Sequence, residues 1–179
     1  MVVNKEKSNI ILIGMPGSGK STVGVILAKQ TGHDFIDTDI LIQTAAGRSL
    51  QDIVDAEGHM ALRRIEEDVL LGIKCCRHVI ATGGSAAYSR RAMNHLGSDG
   101  IFVFLDADIA TLESRVKDYA TRGLAKRPDQ TFADLFAERV PLYAMYADIT
   151  VKCAGLSHEQ VCARIIAELC PFGAGTKGI

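Results

Sequence analysis

The chain has no tryptophan, only 4 prolines, and almost no imbalance of charge: 20 Lys and Arg stand against 21 Asp and Glu, a net of −1. Without a basic excess there is no global field to hold nucleic acid or an anionic membrane surface, so any anion site must be local. Long apolar runs are also missing. The first, Ile10-Ile11-Leu12-Ile13, is cut off at once by Gly14, Pro16 and Gly17, too soon for a signal peptide or a membrane span. The five cysteines, Cys75, Cys76, Cys153, Cys162 and Cys170, are odd in number and show no C-x-x-C spacing, which argues against a disulfide framework or a zinc site. Cys162 and Cys170 sit at helical spacing among apolar residues and read as small core hydrophobes in a reducing, cytoplasmic compartment.

What is present suits one globular domain: 179 residues, 47% hydrophobic and 23% charged, with 17 glycines for tight turns and close backbone approach. The run at 10–13 is β-branched and bounded by glycine, as in a strand buried on both faces. Residues 20–30 turn helical and stop at Gly32. A second strand is expected over 34–37, helices over 39–46 and 49–74 with a break at Gly58, and a third strand over 78–82 leading into Gly83-Gly84. A fourth strand at 100–105 and a short fifth at 149–151 are followed by helical patterns from about Asp108 and Ser157. Such alternation implies an α/β fold with parallel strands and right-handed crossovers. The glycine-rich tail, residues 171–179, reads as frayed.

Between the first strand and its helix lies Gly14-Met15-Pro16-Gly17-Ser18-Gly19-Lys20-Ser21, a match to G-x-x-x-x-G-K-[ST]. Backbone N–H groups of such a loop converge on phosphate oxygens, and the helix N-terminus adds positive potential. Lys20 reaches the β and γ phosphates, and Ser21 coordinates Mg²⁺. The nucleotide-binding set is therefore Gly14, Gly17, Ser18, Gly19, Lys20, Ser21 and Thr22. No N-K-x-D guanine-reading motif follows a later strand, which favours a kinase over a GTPase switch.

Ligands of open parallel sheets gather beyond the carboxyl ends of the strands. Asp37 and Asp39 lie at such an end. Asp37 suits Mg²⁺, directly or through water, and Asp39 can accept a hydrogen bond from the hydroxyl to be phosphorylated, unless one of them only caps the next helix. Thr82-Gly83-Gly84-Ser85 would let backbone amides approach a ligand, or form a plain turn. Arg63-Arg64-Ile65-Glu66-Glu67-Asp68 pairs its own charges along a helix, and spacing alone does not single out Arg63. In the segment 119–130, Arg122 or Arg127 could close over the phosphates; a merely exposed basic loop has the same pattern.

Taken in order, the P-loop, Phe35-Ile36-Asp37-Thr38-Asp39, Glu57-Gly58 with Arg63-Arg64-Ile65-Glu66, Ala81-Thr82-Gly83-Gly84 and Glu138-Arg139-Val140-Pro141-Leu142-Tyr143 resemble the shikimate kinase family, within the nucleoside-monophosphate-kinase-like P-loop enzymes. The resemblance implies a three-layer fold with a five-stranded parallel sheet in 2-3-1-4-5 order, helices on both faces and a nucleotide-side lid. It also implies transfer of the ATP γ-phosphate to a ring hydroxyl of shikimate, by a cytoplasmic enzyme with a small-molecule partner and a monomer as default. Asp39 would bind the acceptor hydroxyls and serve as base, Arg63 and Arg139 would clamp its carboxylate, and Glu66 would orient Arg63. The Gly83 and Gly84 backbone would touch the acceptor, Arg122 would be the lid arginine, Arg115 would lie beside adenine, and the loop 153–156 would form the other side of the base site. The acceptor segment would span about 38–74.

The chain departs from the family pattern at identifiable places. Ser85 replaces a third glycine, so its side chain is expected to enter or crowd the acceptor site, with strain if that position needs positive φ. Val54 and Leu62 stand where aromatic walls are common, which predicts a wider pocket. The lid reads Arg122-Gly123-Leu124-Ala125 instead of Arg-Pro-Leu-Leu. Two other readings share the cradle: a P-loop kinase for another hydroxylated acceptor, gluconate-like or a nucleotide, and a nucleotide-binding module without phosphotransfer.

Overall fold

A computed structural model describes residues 7–115 and 123–170. Strands β1 (Asn9–Ile13), β2 (Asp34–Asp37), β3 (His78–Ala81), β4 (Gly100–Asp106) and β5 (Ile149–Lys152) form one parallel sheet in the order β2-β3-β1-β4-β5. That is the order the resemblance implies. At its centre, Ile10 of β1 lies opposite Val79 of β3 on one side and Ile101 of β4 on the other. Every residue of β1 and all but the last of β4 are buried. Strands covered on both faces need apolar side chains at successive positions, which is why these segments read as continuous runs. β5, at the edge, alternates buried and exposed.

Among the described residues the helices are α1 (Lys20–Thr31), α2 (Thr38–Ala46), α3 (Leu50–Glu57), α4 (His59–Gly72), α5 (Arg90–Gly97), α6 (Ile109–Arg115), α7 (Phe132–Tyr146) and α8 (His158–Leu169). α1 packs on α8 and α4 on α5, giving a helical layer on each face of the sheet. Gly58 does interrupt the long helical pattern: at φ 80° it closes α3 and opens α4, a conformation that suits glycine. Ser49, Thr131 and Ser157 each start a helix through a capping box, with Asp52, Asp134 and Gln160 answering from the third helical position. α5 is not among the elements expected from the sequence, although Ala92, Met93 and Leu96 give it one buried face behind the Ser89 cap.

Two apolar clusters result. The main core joins β1, β3 and β4 to the covering helices, and a smaller one gathers Ile42, Ile53, Leu62 and Ala125 with Leu50 and Val54 at its edge. The smaller cluster welds α2, α3 and α4 to the segment after Gly123, so the carboxyl ends of β1, β2 and β3 face a partly roofed cavity. All five cysteines are free thiols. Cys162 is buried as expected, but Cys170 is exposed: Leu169 takes the inward position at the end of α8. Among the described residues no helix is long and apolar enough to cross a membrane.

Candidate active site

The cavity above the strand ends encloses about 690 Å³. Its floor is the loop from β1 to α1. Gly14, Gly17 and Gly19 adopt φ of 145°, 83° and 96°, which side chains rarely tolerate, and a Cβ on Gly14 would come within 2.9 Å of the Leu105 carbonyl. Three glycines of the motif are therefore dictated by backbone geometry. Lys20, the first residue of α1, is almost fully buried and its Nζ donates to the carbonyl oxygens of Gly14 at 2.7 Å and Met15 at 3.0 Å. Burial pulls its ammonium down to about 8, against the pull of Asp39, Asp37 and Glu66. Ser18 Oγ is buried without a hydrogen-bond partner among the described residues. Ser21 and Thr22 border the cavity in the first turn of α1, whereas Gly14 and Ser18 do not.

The opposite wall is built at the ends of β2 and β3. Asp37 is the residue that caps a helix, its Oδ1 accepting from the Asp39 amide at 3.0 Å, which leaves Asp39 free to border the cavity. Burial, reinforced by the Asp37 charge and opposed by Lys20, raises the Asp39 carboxyl above its ordinary range. The Gly83 amide donates to Thr38 Oγ1 at 2.9 Å, tying the two strand ends together. A Cβ on Gly83 would collide with Glu66 Oε1 and lie 2.7 Å from Asp39 Oδ1; one on Gly84 would lie 2.8 Å from Arg139 Nη1. The glycine pair is thus set by close approach of charged groups, not by a turn alone.

Arg139 projects from α7 and is 1% exposed. Its Nη2 donates to the Ala125 carbonyl at 2.8 Å, and Arg63 Nη2, from α4, donates to the same oxygen at 3.2 Å. Tyr88 holds both guanidinium groups: Arg63 lies 3.6 Å over its ring and Arg139 5.4 Å, and Arg139 Nε donates to its hydroxyl at 3.4 Å. The Tyr88 hydroxyl in turn donates to Glu138. Two cations that would otherwise repel converge on one neutral carbonyl oxygen, a geometry suited to a carboxylate. Arg139 and Ala125 border the cavity; Arg63 does not.

Several sequence expectations need correction. Glu66 does not orient Arg63; its Oε2 accepts from Ser85 Oγ, and Tyr88 does the orienting. Ser85 is not strained, having φ −100° and ψ 0°, and its hydroxyl turns toward Glu66. Leu62 borders the cavity as expected, but Val54 packs in the small apolar cluster instead. Arg127 points away, its guanidinium 3.6 Å from Glu138 and 3.9 Å from Asp129. Arg122 lies outside the described residues. The segment that resumes at Gly123 docks on α3: the Gly123 amide donates to Gln51 Oε1 at 2.7 Å.

On the nucleotide side, Arg115 and His158 border the cavity, and the loop 153–156 does not. The His158 ring approaches to 3.3 Å of the point where a Gly19 side chain would start. Sequence reasoning missed Tyr88, His158 and Tyr143, whose buried hydroxyl donates to the Gly84 carbonyl. Tyr143 was detectable, since it lies one helical turn beyond Arg139 on the same face of α7. Tyr88 carried no signal, because its partners come from two distant helices. Among the described residues no group of three or more His, Cys, Asp or Glu side chains could enclose a metal ion.

The shikimate kinase family model matches residues 16–170. A shikimate kinase from Gloeobacter violaceus is 41% identical over 152 residues, 83% of this chain and 85% of the relative. Among solved structures, a shikimate kinase from Acinetobacter baumannii in complex with shikimate superposes with a TM-score of 0.83 at 29% identity, covering 92% of this chain and 93% of that one. The shikimate kinase from Aquifex aeolicus gives a TM-score of 0.77 at 34% identity over 94% of this chain and 99% of that one.

Proposed function

Because this chain belongs to the shikimate kinase family, we propose that it transfers the γ-phosphate of ATP to a ring hydroxyl of shikimate, giving shikimate 3-phosphate and ADP. The observation that carries this is the convergence of Arg63 and Arg139 on the carbonyl of Ala125, which borders the same cavity as Arg139 and Lys20. A carboxylate in place of that carbonyl would neutralise the buried Arg139 and the half-buried Arg63 and turn the ring hydroxyls toward Asp39.

The loop fits a triphosphate. Its glycines adopt positive φ, Ser18 Oγ, without a partner among the described residues, offers a buried donor, and Lys20 Nζ is held by the Gly14 and Met15 carbonyls, which it can leave. Mg²⁺ fits as well, since that ion takes one or two carboxylates and completes its shell with phosphates and water. Ser21, which borders the cavity, and Asp37, at the end of β2 where its Oδ1 caps α2, would hold it. When bound, the cation neutralises phosphate oxygens. Arg115 would lie beside the base.

Phosphoryl transfer passes through a loose transition state, so the protein contributes position and charge. The acceptor oxygen attacks the γ-phosphorus in line, the bond to the β,γ-bridging oxygen breaks with ADP as leaving group, and the hydroxyl proton passes to Asp39. Lys20 follows the charge that develops on the transferred group. The lid segment 119–130, with Arg122 as its arginine, would exclude water and add a further cation. The same proposal includes a monomer working in the cytoplasm, with 38–74 as the acceptor-binding segment.

A coupled ADP-release assay tests the proposal, with shikimate, gluconate and nucleoside monophosphates offered in turn. Shikimate is expected to drive turnover well above basal hydrolysis. Turnover with another acceptor alone, or ATP binding with no acceptor-dependent ADP, would refute it.

A further inference from the structure

The acceptor wall contains a buried side-chain pair that the transfer just described does not use. Ser85 follows the glycine pair in ordinary backbone geometry and is 6% exposed, and its hydroxyl donates to Glu66 Oε2. Glu66, on α4, is 2% exposed, and its other oxygen, Oε1, has no partner among the described residues. That oxygen stands over the Gly83 backbone, where a Gly83 side chain would meet both it and Asp39 Oδ1. Ser85, Glu66 and Asp39 all border the cavity. Leaving a buried carboxylate oxygen unpaired is unfavourable. One aimed into a polar cavity beside the base is a contact reserved for a ligand.

We propose that Ser85 is a positioning residue: by fixing Glu66 Oε2 it presents Glu66 Oε1 to the acceptor hydroxyl next to the one that is phosphorylated. The inference rests on the reading of the acceptor given under Proposed function. The terminal torsion of a glutamate is broad and roughly two-fold, so a carboxylate held at neither oxygen samples orientations that miss the ligand. One hydrogen bond from Ser85 removes that freedom. A hydroxyl both donates and accepts, so it can pair with Glu66 in either protonation state. A glycine at position 85 would leave the Gly83 and Gly84 contacts untouched and free only the Glu66 carboxylate.

The test is steady-state kinetics of Ser85→Gly and Ser85→Ala beside the wild type, with thermal unfolding to confirm that each is folded. The acceptor KM is expected to rise about tenfold, as for one lost hydrogen bond to a charged group, while kcat and the KM for ATP stay within about twofold. A shikimate analogue lacking the adjacent hydroxyl should show the same KM in wild type and variants. In a Glu66→Gln background, Ser85→Gly should add little, because the two residues act through one contact. An unchanged acceptor KM in whichever variant folds would overturn the inference, as would a rise shared equally by the deoxy analogue. If the wild type itself fails to phosphorylate shikimate, the functional reading falls and this inference with it; wild-type turnover with indifferent Ser85 variants removes this inference alone.

Discussion

Replacing Arg139 with alanine separates the acceptor site's function from its stability. Arg139 is 1% exposed, and its hydrogen bonds are to the Ala125 carbonyl and the Tyr88 hydroxyl; among the described residues no carboxylate lies within ion-pair distance of it. Such a cation bears a desolvation penalty that a ligand carboxylate would offset. Truncating it would remove the charge-assisted contact proposed between this arginine and the acceptor carboxylate, worth about 3 kcal/mol, or roughly a hundredfold in acceptor affinity. The free protein loses two hydrogen bonds and gains relief of the buried charge, so its stability should change by less than about 2 kcal/mol. In the coupled ADP-release assay at saturating ATP, the acceptor KM of Arg139→Ala should rise about a hundredfold with the KM for ATP little changed. Arg139→Lys should recover only part, because an ammonium lacks the planar fork. An acceptor KM within twofold of wild type in Arg139→Ala would refute the assignment of this arginine to the carboxylate.

Lys20→Met is expected to abolish measurable turnover and weaken nucleotide binding in calorimetry, since Lys20 is the buried cation of the phosphate loop; full turnover would place the phosphates elsewhere. Gly83→Ala should lower turnover at least about tenfold, because the added methyl meets Glu66 and Asp39 together; kinetics like those of wild type would show that the glycine is not held by close approach. Glu66 predicts a pH effect on stability. Burial pushes its carboxyl up to about 7 from an ordinary 4.5, so between these values the folded protein keeps a proton that the unfolded chain has released. The stability this proton confers is complete below about pH 4.5 and is lost as pH rises through about 7. Tm measured from pH 4.5 to 8 should therefore fall less steeply in Glu66→Gln than in wild type, and identical slopes would count against the buried carboxyl.

The phosphate loop was legible because its signal is contiguous: glycines, lysine and serine lie within one strand-to-helix turn, and three of the glycines adopt positive φ there. Sheet order followed from the family pattern, and the buried strands announced themselves as unbroken apolar runs. Contacts between distant segments were less visible. Nothing in the spacing of Arg63 and Arg139 shows that both would rest on Tyr88 and point at Ala125, because those four residues come from four separate segments. Ser85 was expected to be strained only if its position needed positive φ; its backbone is ordinary, and its hydroxyl donates to one oxygen of Glu66. Cys170 was misplaced by a single helical step, since periodicity near a helix end does not reveal which residue turns outward.

The most direct measurement is a crystal structure of the protein with shikimate and ADP. The predicted result is the shikimate carboxylate on Arg139 and Arg63 in place of the Ala125 carbonyl, a ring hydroxyl on Asp39, and the ADP phosphates in the loop that ends at Lys20. A carboxylate bound elsewhere, with the Ala125 carbonyl still on both arginines, would contradict it.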